Sequence, residues 1–355
     1  MIVILMKMNV GFVGLGKMGA PMTRNLLMAR NIVNIYDKNL SNIEPLLELG
    51  ANKQDSPKDV GKASDCIFIM VYPPEEVSNI IFDESEGLLP GIVSKVRNSE
   101  NNKYSIIIDG GNADYLRSIE IGKELEKYGI RYMDVGFSGG PPEAEKKNLA
   151  AFVGGDYDVF NQILPLLLPL CNEDKINYVG EIGSGHFAKV IAHNTLEYCI
   201  MGAIGEIASL SNQAGDHKKI MQAVNDGLAQ SRLGTLYLNL INEDIESTGC
   251  RIGFTQNAAE LALREAKKYN IATPLITFIY YLRKISEELY TSDSINNTTK
   301  NKMIQDIVEQ LDMFVREQKS TGTIRSMAIQ AQLRKAFGGH SVEKRKDPHA
   351  KHEVE

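Results

Sequence analysis

A lysine, a histidine and a glutamate recur at helical spacing near the middle of the chain. Lys189, His193 and Glu197 stand at i, i+4 and i+8, so a helix would bring them to roughly one face. Asn194 follows His193 directly and adds an amide. A lysine in an otherwise apolar helix can lose its proton when it is partly desolvated, and it is then a base. The segment predicts a site that moves a proton, although each side chain could also be an ordinary structural or surface residue.

A glycine-rich turn near the start of the chain indicates a nucleotide site. A GxGxxG pattern follows an apolar run and opens a helical pattern, and it consists of Gly14, Leu15, Gly16, Lys17, Met18 and Gly19. A helix that starts there offers free N–H groups to a pyrophosphate. Asp37 ends the second apolar run, where a carboxylate can accept hydrogen bonds from a ribose 2′-hydroxyl. NAD is therefore expected rather than NADP, whose 2′-phosphate would meet like charge.

The bulk composition excludes several classes of protein. The chain has 355 residues and a formal net charge of −6, which argues against a general nucleic-acid partner. Its four cysteines lie far apart without metal-ligand spacing, which predicts reduced thiols in a cytoplasmic protein and no metal site. No apolar stretch is long enough to span a bilayer, so no membrane partner is expected.

Apolar runs alternate with helical patterns through the first half of the chain. This order predicts an α/β Rossmann fold, doubly wound, with a mostly parallel sheet covered on both faces. After about residue 180 only helical periodicity remains. We expect an NAD-binding domain at 1–180, an all-α substrate and dimerisation domain at 181–330, and a C-terminal tail at 331–355. The polar stretch at 97–103 predicts a surface loop.

Five motifs together resemble a known family. They are Gly11–Gly19, Asp109–Asn112, Asp134–Gly140, Gly185–Tyr198 and Leu333–His340. On these residues the chain resembles the β-hydroxyacid dehydrogenases, and most closely the short NAD-type 6-phosphogluconate dehydrogenases that decarboxylate. The last two motifs carry the finer resemblance, because glycine-rich turns alone would not separate 6-phosphogluconate from other hydroxy acids.

The resemblance implies oxidative decarboxylation of 6-phosphogluconate to ribulose 5-phosphate in the pentose phosphate pathway. Lys189 would be the base, and Glu197 the acid that protonates the enediol left by decarboxylation. Further cofactor contacts are expected from Val71, Tyr72 and Asn112. Substrate contacts are expected from Asn112, Ser138, Gly139, Gly140, His193, Asn194, Tyr198, Arg334 and His340. Arginine and histidine suit a phosphate, and by resemblance these two reach the neighbouring active site of a homodimer or a larger homo-oligomer.

Two departures from the family pattern leave alternatives open. One residue is inserted between Lys189 and His193, and it is absorbed either as a π-bulge or by a regular helix that turns Asn194 about 100° away. The segment 141–149 lacks the glycines of 6-phosphogluconate enzymes and looks more like hydroxyisobutyrate-type relatives. The alternatives are another β-hydroxyacid dehydrogenase with a different acid as substrate, an imine- or ketone-reducing relative, and a non-catalytic NAD-binding dimer.

Overall fold

The computed structural model describes residues 9–97, 105–243, 252–291 and 297–320. Arg334, His340 and the predicted tail at 331–355 lie outside these ranges, as does 98–103 of the predicted loop. Arg97 itself ends a helix, which corrects the loop prediction at that residue. Within the described ranges, no helix combines the length and the apolar composition needed to cross a bilayer.

An eight-stranded sheet forms the centre of the first half of the chain, in the order β3-β2-β1-β4-β5-β6-β7-β8. Neighbouring strands are parallel except for β6 and β7, which are antiparallel. The strands are β1 (Asn9–Val13), β2 (Ile32–Tyr36), β3 (Asn52–Lys53), β4 (Cys66–Ile69), β5 (Ile106–Asp109), β6 (Arg131–Ser138), β7 (Leu149–Gly154) and β8 (Cys171–Gly180). The predicted fold class is confirmed. The order reverses between β1 and β4, and open sheets of this class bind ligands at such a switch point.

Helices cover both faces of the sheet and bury it. They are α1 (Gly19–Met28), α2 (Leu40–Leu47), α3 (Pro57–Ala63), α4 (Glu76–Phe82), α5 (Leu88–Arg97), α6 (Tyr115–Glu126), α7 (Gly140–Glu145) and α8 (Tyr157–Leu167). Successive strand residues point to opposite faces, so Phe12 and Phe68 belong to one apolar cluster while Val13 and Ile67 belong to the other. The rings of Phe12 and Phe68 stack with centroids 5.5 Å apart, which helps to fix β1 against β4.

The second half is helical in the described ranges, as predicted. It contains α9 (Ser184–His186), a π-helix (Phe187–Asn194), α10 (Thr195–Ser211), α11 (His217–Asp226), α12 (Arg232–Glu243), α13 (Ile252–Lys268), α14 (Pro274–Thr291) and α15 (Asn297–Ser320). Ala208, Met221 and Leu238 form a small core between α10, α11 and α12.

The described residues fall into two compact units, one that ends at Ala262 and one that begins at Leu263. Every side chain discussed below as part of the site belongs to the first unit. In the second unit, α14 and α15 pack together, and Thr273 N–H donates to Gln310 Oε1 at 2.8 Å. The domain boundaries at 180 and 330 stay predictions.

Candidate active site

The glycine turn after β1 is shaped by close backbone contacts. Gly14 has φ +95°, and a Cβ built there would lie 2.3 Å from the Met70 carbonyl oxygen. A Cβ on Gly19 would lie 1.9 Å from the Gly14 carbonyl oxygen, so helix and turn meet without room for a side chain. A Cβ on Gly16, in contrast, would meet nothing within 4 Å. The two outer glycines are required by packing, and the open space at Gly16 fits a pyrophosphate that approaches the backbone.

Asp37 lies at the carboxyl end of β2 and closes this turn. Its Oδ2 accepts a hydrogen bond from Leu15 N–H at 2.6 Å, and its Oδ1 accepts one from Asn39 N–H at 2.7 Å. Of the other predicted cofactor residues in the turn, Leu15 is buried, Met18 is half-buried and Lys17 is exposed. The carboxylate therefore holds the glycine turn, and its contact with a ribose stays a prediction.

Two further predicted cofactor positions follow neighbouring strands. Val71 and Tyr72 come directly after β4, and the Tyr72 side chain is exposed. Asn112 follows β5 in a turn fixed by the buried Asp109, whose Oδ1 accepts Gly111 N–H at 2.9 Å and whose Oδ2 accepts Tyr132 O–H at 2.6 Å. Because β1, β4 and β5 are adjacent and parallel, their carboxyl ends place these turns along one edge of the sheet.

A buried carboxylate on β6 anchors the start of the helical half. Asp134 is fully buried, and it accepts hydrogen bonds from Gly183 N–H and His186 N–H, both at 2.7 Å. Negative charge at the amino end of a helix is favourable. His186 Nδ1 also lies 2.8 Å from Ser118 Oγ, so this buried histidine has a structural contact at the junction. Sequence reasoning missed the anchoring roles of Asp134 and Ser118, although an aspartate inside an apolar strand was a usable signal.

A π-helix accommodates the residue inserted between Lys189 and His193. It spans Phe187–Asn194, between α9 and α10, so the extra residue is absorbed in widened turns rather than by a regular α-helix. In π-type turns residue i bonds to i+5, so Asn194 takes the place relative to Lys189 that i+4 holds in an α-helix. His193 and Asn194 thus both stay on the side of Lys189.

The side chains of the π-helix meet the end of β6. Lys189 is 8% exposed, and its Nζ lies 3.4 Å from His193 Nδ1. His193 Nδ1 also lies 3.5 Å from Glu197 Oε2, and its Nε2 lies 3.1 Å from Ser138 Oγ. A Cβ built on Gly136 would lie 2.2 Å from Lys189 Cβ, so the lysine stem packs against bare strand backbone. The structure thus brings Lys189, His193, Glu197 and Ser138 together.

Burial lowers the pKa of His193 below its ordinary value of 6.5, and the nearby Lys189 charge lowers the pKa further. The Glu197 charge raises the pKa, as does the contact of His193 Nδ1 with Asn194 Oδ1, which can only accept a hydrogen bond, whereas the Arg232 charge lowers it. The net effect is a lowered pKa, which favours the uncharged ring. The base candidate Lys189 then lies beside a neutral polar ring, which can accept or donate one hydrogen bond at each nitrogen.

The predicted substrate turn, Ser138–Gly140, has a backbone that suits glycine. Gly139 has φ +140° and Gly140 has φ +71°. A Cβ on Gly139 would meet the Cβ of Glu143 at 2.7 Å, so α7 lies directly under the turn. Tyr198, another predicted substrate residue, is buried on α10. Sequence reasoning did not single out Glu143 or its ion-pair partner Arg232 (3.0 Å between Oε1 and the guanidinium nitrogen), because charged surface residues carry no pattern that reveals such a pair.

The comparisons with known proteins place the chain in a family. The sequence family described as the NAD binding domain of 6-phosphogluconate dehydrogenase matches residues 9–180. A probable 3-hydroxyisobutyrate dehydrogenase-like 1 of Arabidopsis thaliana is 25% identical over 80% of this chain and 79% of that relative. The 2-hydroxy-3-oxopropionate reductase of Escherichia coli is 29% identical over 75% of this chain and 87% of that relative. The putative 6-phosphogluconate dehydrogenase YqeC of Bacillus subtilis is 31% identical over 62% and 71%, respectively.

A solved structure supports the same fold. The 3-hydroxyisobutyrate dehydrogenase of Mycobacterium tuberculosis, determined with L-serine, superimposes on 79% of this chain and 93% of its own with a TM-score of 0.66. At 21% identity this likeness concerns the fold alone. The prediction of an NAD(P) cofactor is confirmed by the match to an NAD-binding domain.

The predicted activity, in contrast, was wrong. Decarboxylation of 6-phosphogluconate, and with it the pentose phosphate pathway, conflicts with relatives that match larger shares of this chain and are named for 3-hydroxyisobutyrate and 2-hydroxy-3-oxopropionate. The physical counterpart is the segment after Gly140, where the prolines and charged residues of α7 replace the glycines expected beside a sugar phosphate. Without decarboxylation there is no enediol for Glu197 to protonate. The chain belongs to the β-hydroxyacid dehydrogenase superfamily.

Proposed function

We propose that this protein is an NAD-dependent dehydrogenase that interconverts a short β-hydroxy acid and its carbonyl form without loss of carbon dioxide. The observation that carries the proposal is the buried Lys189, 3.4 Å from His193 and on the same wall as Ser138. This group lies in a chain whose first 180 residues contain an NAD-binding domain. The names of the relatives support small acids such as 3-hydroxyisobutyrate and 2-hydroxy-3-oxopropionate as substrates.

The substrate carboxylate is assigned to the turn at Ser138–Gly140. Successive backbone N–H groups in a turn with left-handed residues form a concave anion site, and a serine hydroxyl adds a donor. The positive φ angles of Gly139 and Gly140 give the turn this type of backbone. Ser138 Oγ lies 3.1 Å from His193 Nε2, so the same histidine borders both the carboxylate end and Lys189.

Lys189 is assigned the proton transfer at the hydroxyl oxygen. When bound, NAD supplies the acceptor for the hydride that leaves the hydroxyl-bearing carbon. Lys189 takes the hydroxyl proton in this step, and its resulting positive charge stabilises the carbonyl oxygen. In the reverse direction the ammonium group returns the proton. His193 and Asn194 orient the oxygen, and Glu197 holds His193 through its 3.5 Å contact with Nδ1.

Two finer points belong to the proposal. Asp37 favours NAD over NADP, because its carboxylate would repel a 2′-phosphate at the end of β2. The proposed assembly is a homodimer in which Arg334 and His340 contribute to the active site of the neighbouring subunit. Both of these residues lie outside the described ranges.

The test is a cofactor-reduction assay with 3-hydroxyisobutyrate, together with the reverse assay on 2-hydroxy-3-oxopropionate, for the wild-type protein and Lys189→Met. Loss of general acid–base catalysis is expected to lower kcat by about 10²- to 10⁴-fold, while NADH binding stays unchanged. Lys219→Met is the matched control, because Lys219 is an exposed helix residue that pairs with Asp216. Turnover that survives in Lys189→Met would refute the assignment, and tight NAD binding without turnover of any hydroxy acid would favour a non-catalytic dimer.

A further inference from the structure

An ion pair connects the substrate turn with the helical half. Arg232 is the first residue of α12, and its guanidinium lies 3.0 Å from Glu143 Oε1 on α7. The side chain of Glu143 is 19% exposed, whereas that of Arg232 is 66% exposed. An ion pair in which one partner is largely removed from water is held more firmly than an open surface pair.

Glu143 is itself fixed from the sheet side. Its Oε2 accepts a hydrogen bond from Asn148 Nδ2 at 2.5 Å, and Asn148 Oδ1 in turn accepts from Lys175 Nζ at 3.0 Å and from Asn172 Nδ2 at 3.2 Å. The chain of contacts runs from β8 through Asn148 to Glu143 and ends at Arg232. Glu143 is thus held in place by the sheet. Among the residues in this chain of contacts, Arg232 comes from the helices after the π-helix.

Glu143 lies directly beneath the Ser138–Gly140 turn, to which the substrate carboxylate is assigned. The Cβ of Glu143 occupies the place that a side chain on Gly139 would need, with 2.7 Å between the two Cβ positions. The Glu143 side chain therefore packs directly against the backbone at Gly139. The same α7 is also tied to α1, because Asn25 Nδ2 donates to the Ala144 carbonyl oxygen at 2.7 Å.

Arg232 also affects the pKa of His193. The charged groups around His193 are Lys189 on the π-helix, Glu197 on α10 and Arg232 on α12, while β6 contributes Ser138 and β7 the uncharged ring of Phe152. The positive charges of Lys189 and Arg232 lower the pKa of His193, and Glu197 raises it. Arg232 is thus linked to the Ser138–Gly140 turn through its ion pair with Glu143, and to His193 through the electrostatic effect of its positive charge.

We propose that Arg232 and Glu143 are a positioning pair that holds the Ser138–Gly140 turn at the right distance from His193, and so sets the affinity for the hydroxy acid. The proposal rests on the function proposed above. Arg232 is a positioning residue here, because it acts through Glu143 and does not need to touch the substrate.

The experiment compares wild type, Arg232→Gln, Glu143→Gln and the double variant Glu143→Gln/Arg232→Gln, all in the full-length chain. The Glu143→Gln side chain keeps an oxygen that can accept from Asn148 Nδ2 but has no charge for Arg232. Loss of about 1 kcal/mol in an ion pair corresponds to roughly a fivefold change in affinity. Arg232→Gln is expected to raise KM for the hydroxy acid about fivefold, with kcat and NADH affinity little changed. The double variant should raise KM no further than either single variant, because the contact is already lost when one partner is replaced. Lys219→Gln serves as the control for the loss of an exposed helix cation.

Two readouts by nuclear magnetic resonance do not depend on turnover. With glycine labelled, the amide signals of Gly139 and Gly140 should shift in Arg232→Gln and in Glu143→Gln, and the double variant should show no larger shift. With histidine labelled, the titration midpoint of His193 should move upward in Arg232→Gln and in the double variant, because each removes the positive charge at position 232. Contact and charge are thereby separated, since Glu143→Gln breaks the ion pair but leaves the charge of Arg232 in place.

Each result decides the question. Unmoved glycine signals in Arg232→Gln, or effects of the two single variants on KM that add up in the double variant, would overturn the positioning role, and the second result would show that Arg232 and Glu143 act independently. If the wild-type protein turned over no hydroxy acid at all, the proposed function would fail alone, while the glycine and histidine signals would still decide for or against the pair.

Discussion

The carboxylate of Asp37 accepts the backbone N–H of Leu15 at 2.6 Å, across 22 positions of sequence. The residue expected to select the cofactor therefore also holds the glycine turn that is expected to bind the pyrophosphate. Hydrogen bonds to a charged acceptor are worth about 1.5–3 kcal/mol. A substitution of Asp37 is therefore expected to change both the stability of the glycine turn and the contact with the cofactor ribose.

Asp37→Ala is expected to weaken NADH binding by at least about tenfold, which corresponds to about 1.4 kcal/mol. Affinity for NADPH should fall less, because removal of like charge offsets part of the loss of the turn. Fluorescence titration of both reduced cofactors measures this. Asp37→Asn keeps an oxygen for Leu15 N–H and separates the two effects, and equal losses for both cofactors in Asp37→Ala would contradict the role in selection.

Gly136→Ala is expected to disturb Lys189 itself. The added methyl group would lie 2.2 Å from Lys189 Cβ, and overpacking of this kind costs about 1–3 kcal/mol. We expect a lower Tm and a lower kcat, since the lysine stem must move. Gly205→Ala is the control, because a Cβ there meets nothing within 4 Å on an exposed turn of α10. That change should stabilise the helix by up to about 1 kcal/mol, and an unaffected Gly136→Ala protein would refute the tight contact.

Deletion of Ala192 tests what the π-helix is for. Ala192 is exposed within Phe187–Asn194, and its removal would let the segment close into ordinary α-turns, with Asn at i+4 from Lys189. We expect the deletion variant to keep measurable turnover and to have an equal or higher Tm, as followed by thermal unfolding and steady-state assays. A folded variant without any turnover would show that the wider turns are needed for the chemistry and not only to absorb the insertion.

Stability should depend on His193 at mildly acidic pH. The pKa of His193 is lowered in the folded state from 6.5 by burial and by Lys189, so the unfolded chain binds this proton more readily. The stabilising contribution is present above pH 6.5 and is lost as pH falls through the lower folded value. Unfolding midpoints between neutral and mildly acidic pH should therefore drop more steeply for wild type than for His193→Gln. Parallel curves would show that the ring titrates normally.

The strongest elements of the fold could be predicted because their burial is continuous. β4 consists of four buried apolar residues and β5 of three buried isoleucines before Asp109, and such runs are typical of central parallel strands. β8 escaped prediction because it is an edge strand with mixed exposure along Cys171–Gly180. α5 escaped because Pro90 and Gly91 lie inside it, and both residues normally indicate a break.

The site was harder to predict than the sheet. The helical spacing correctly brought Lys189, His193 and Glu197 to one wall, and the extra residue was correctly recognised as a possible π-bulge. The Asp134 anchor and the Glu143–Arg232 pair were missed, because they join residues 52 and 89 positions apart. A short periodic pattern contains no information about such distant partners.

The Asp134 anchor has a consequence for how new specificities can arise on this scaffold. One carboxylate of the sheet accepts the backbone N–H groups of both Gly183 and His186, shortly before Lys189, and the Lys189 stem packs against Gly136 on the same strand. The residue proposed to transfer the proton is therefore held by β6, and the helices after α10 can diverge, lengthen or exchange residues without breaking these contacts. The position of the proposed proton-transfer residue and the choice of substrate can thus change separately in evolution, with the buried Asp134 fixing the point where the helical half begins.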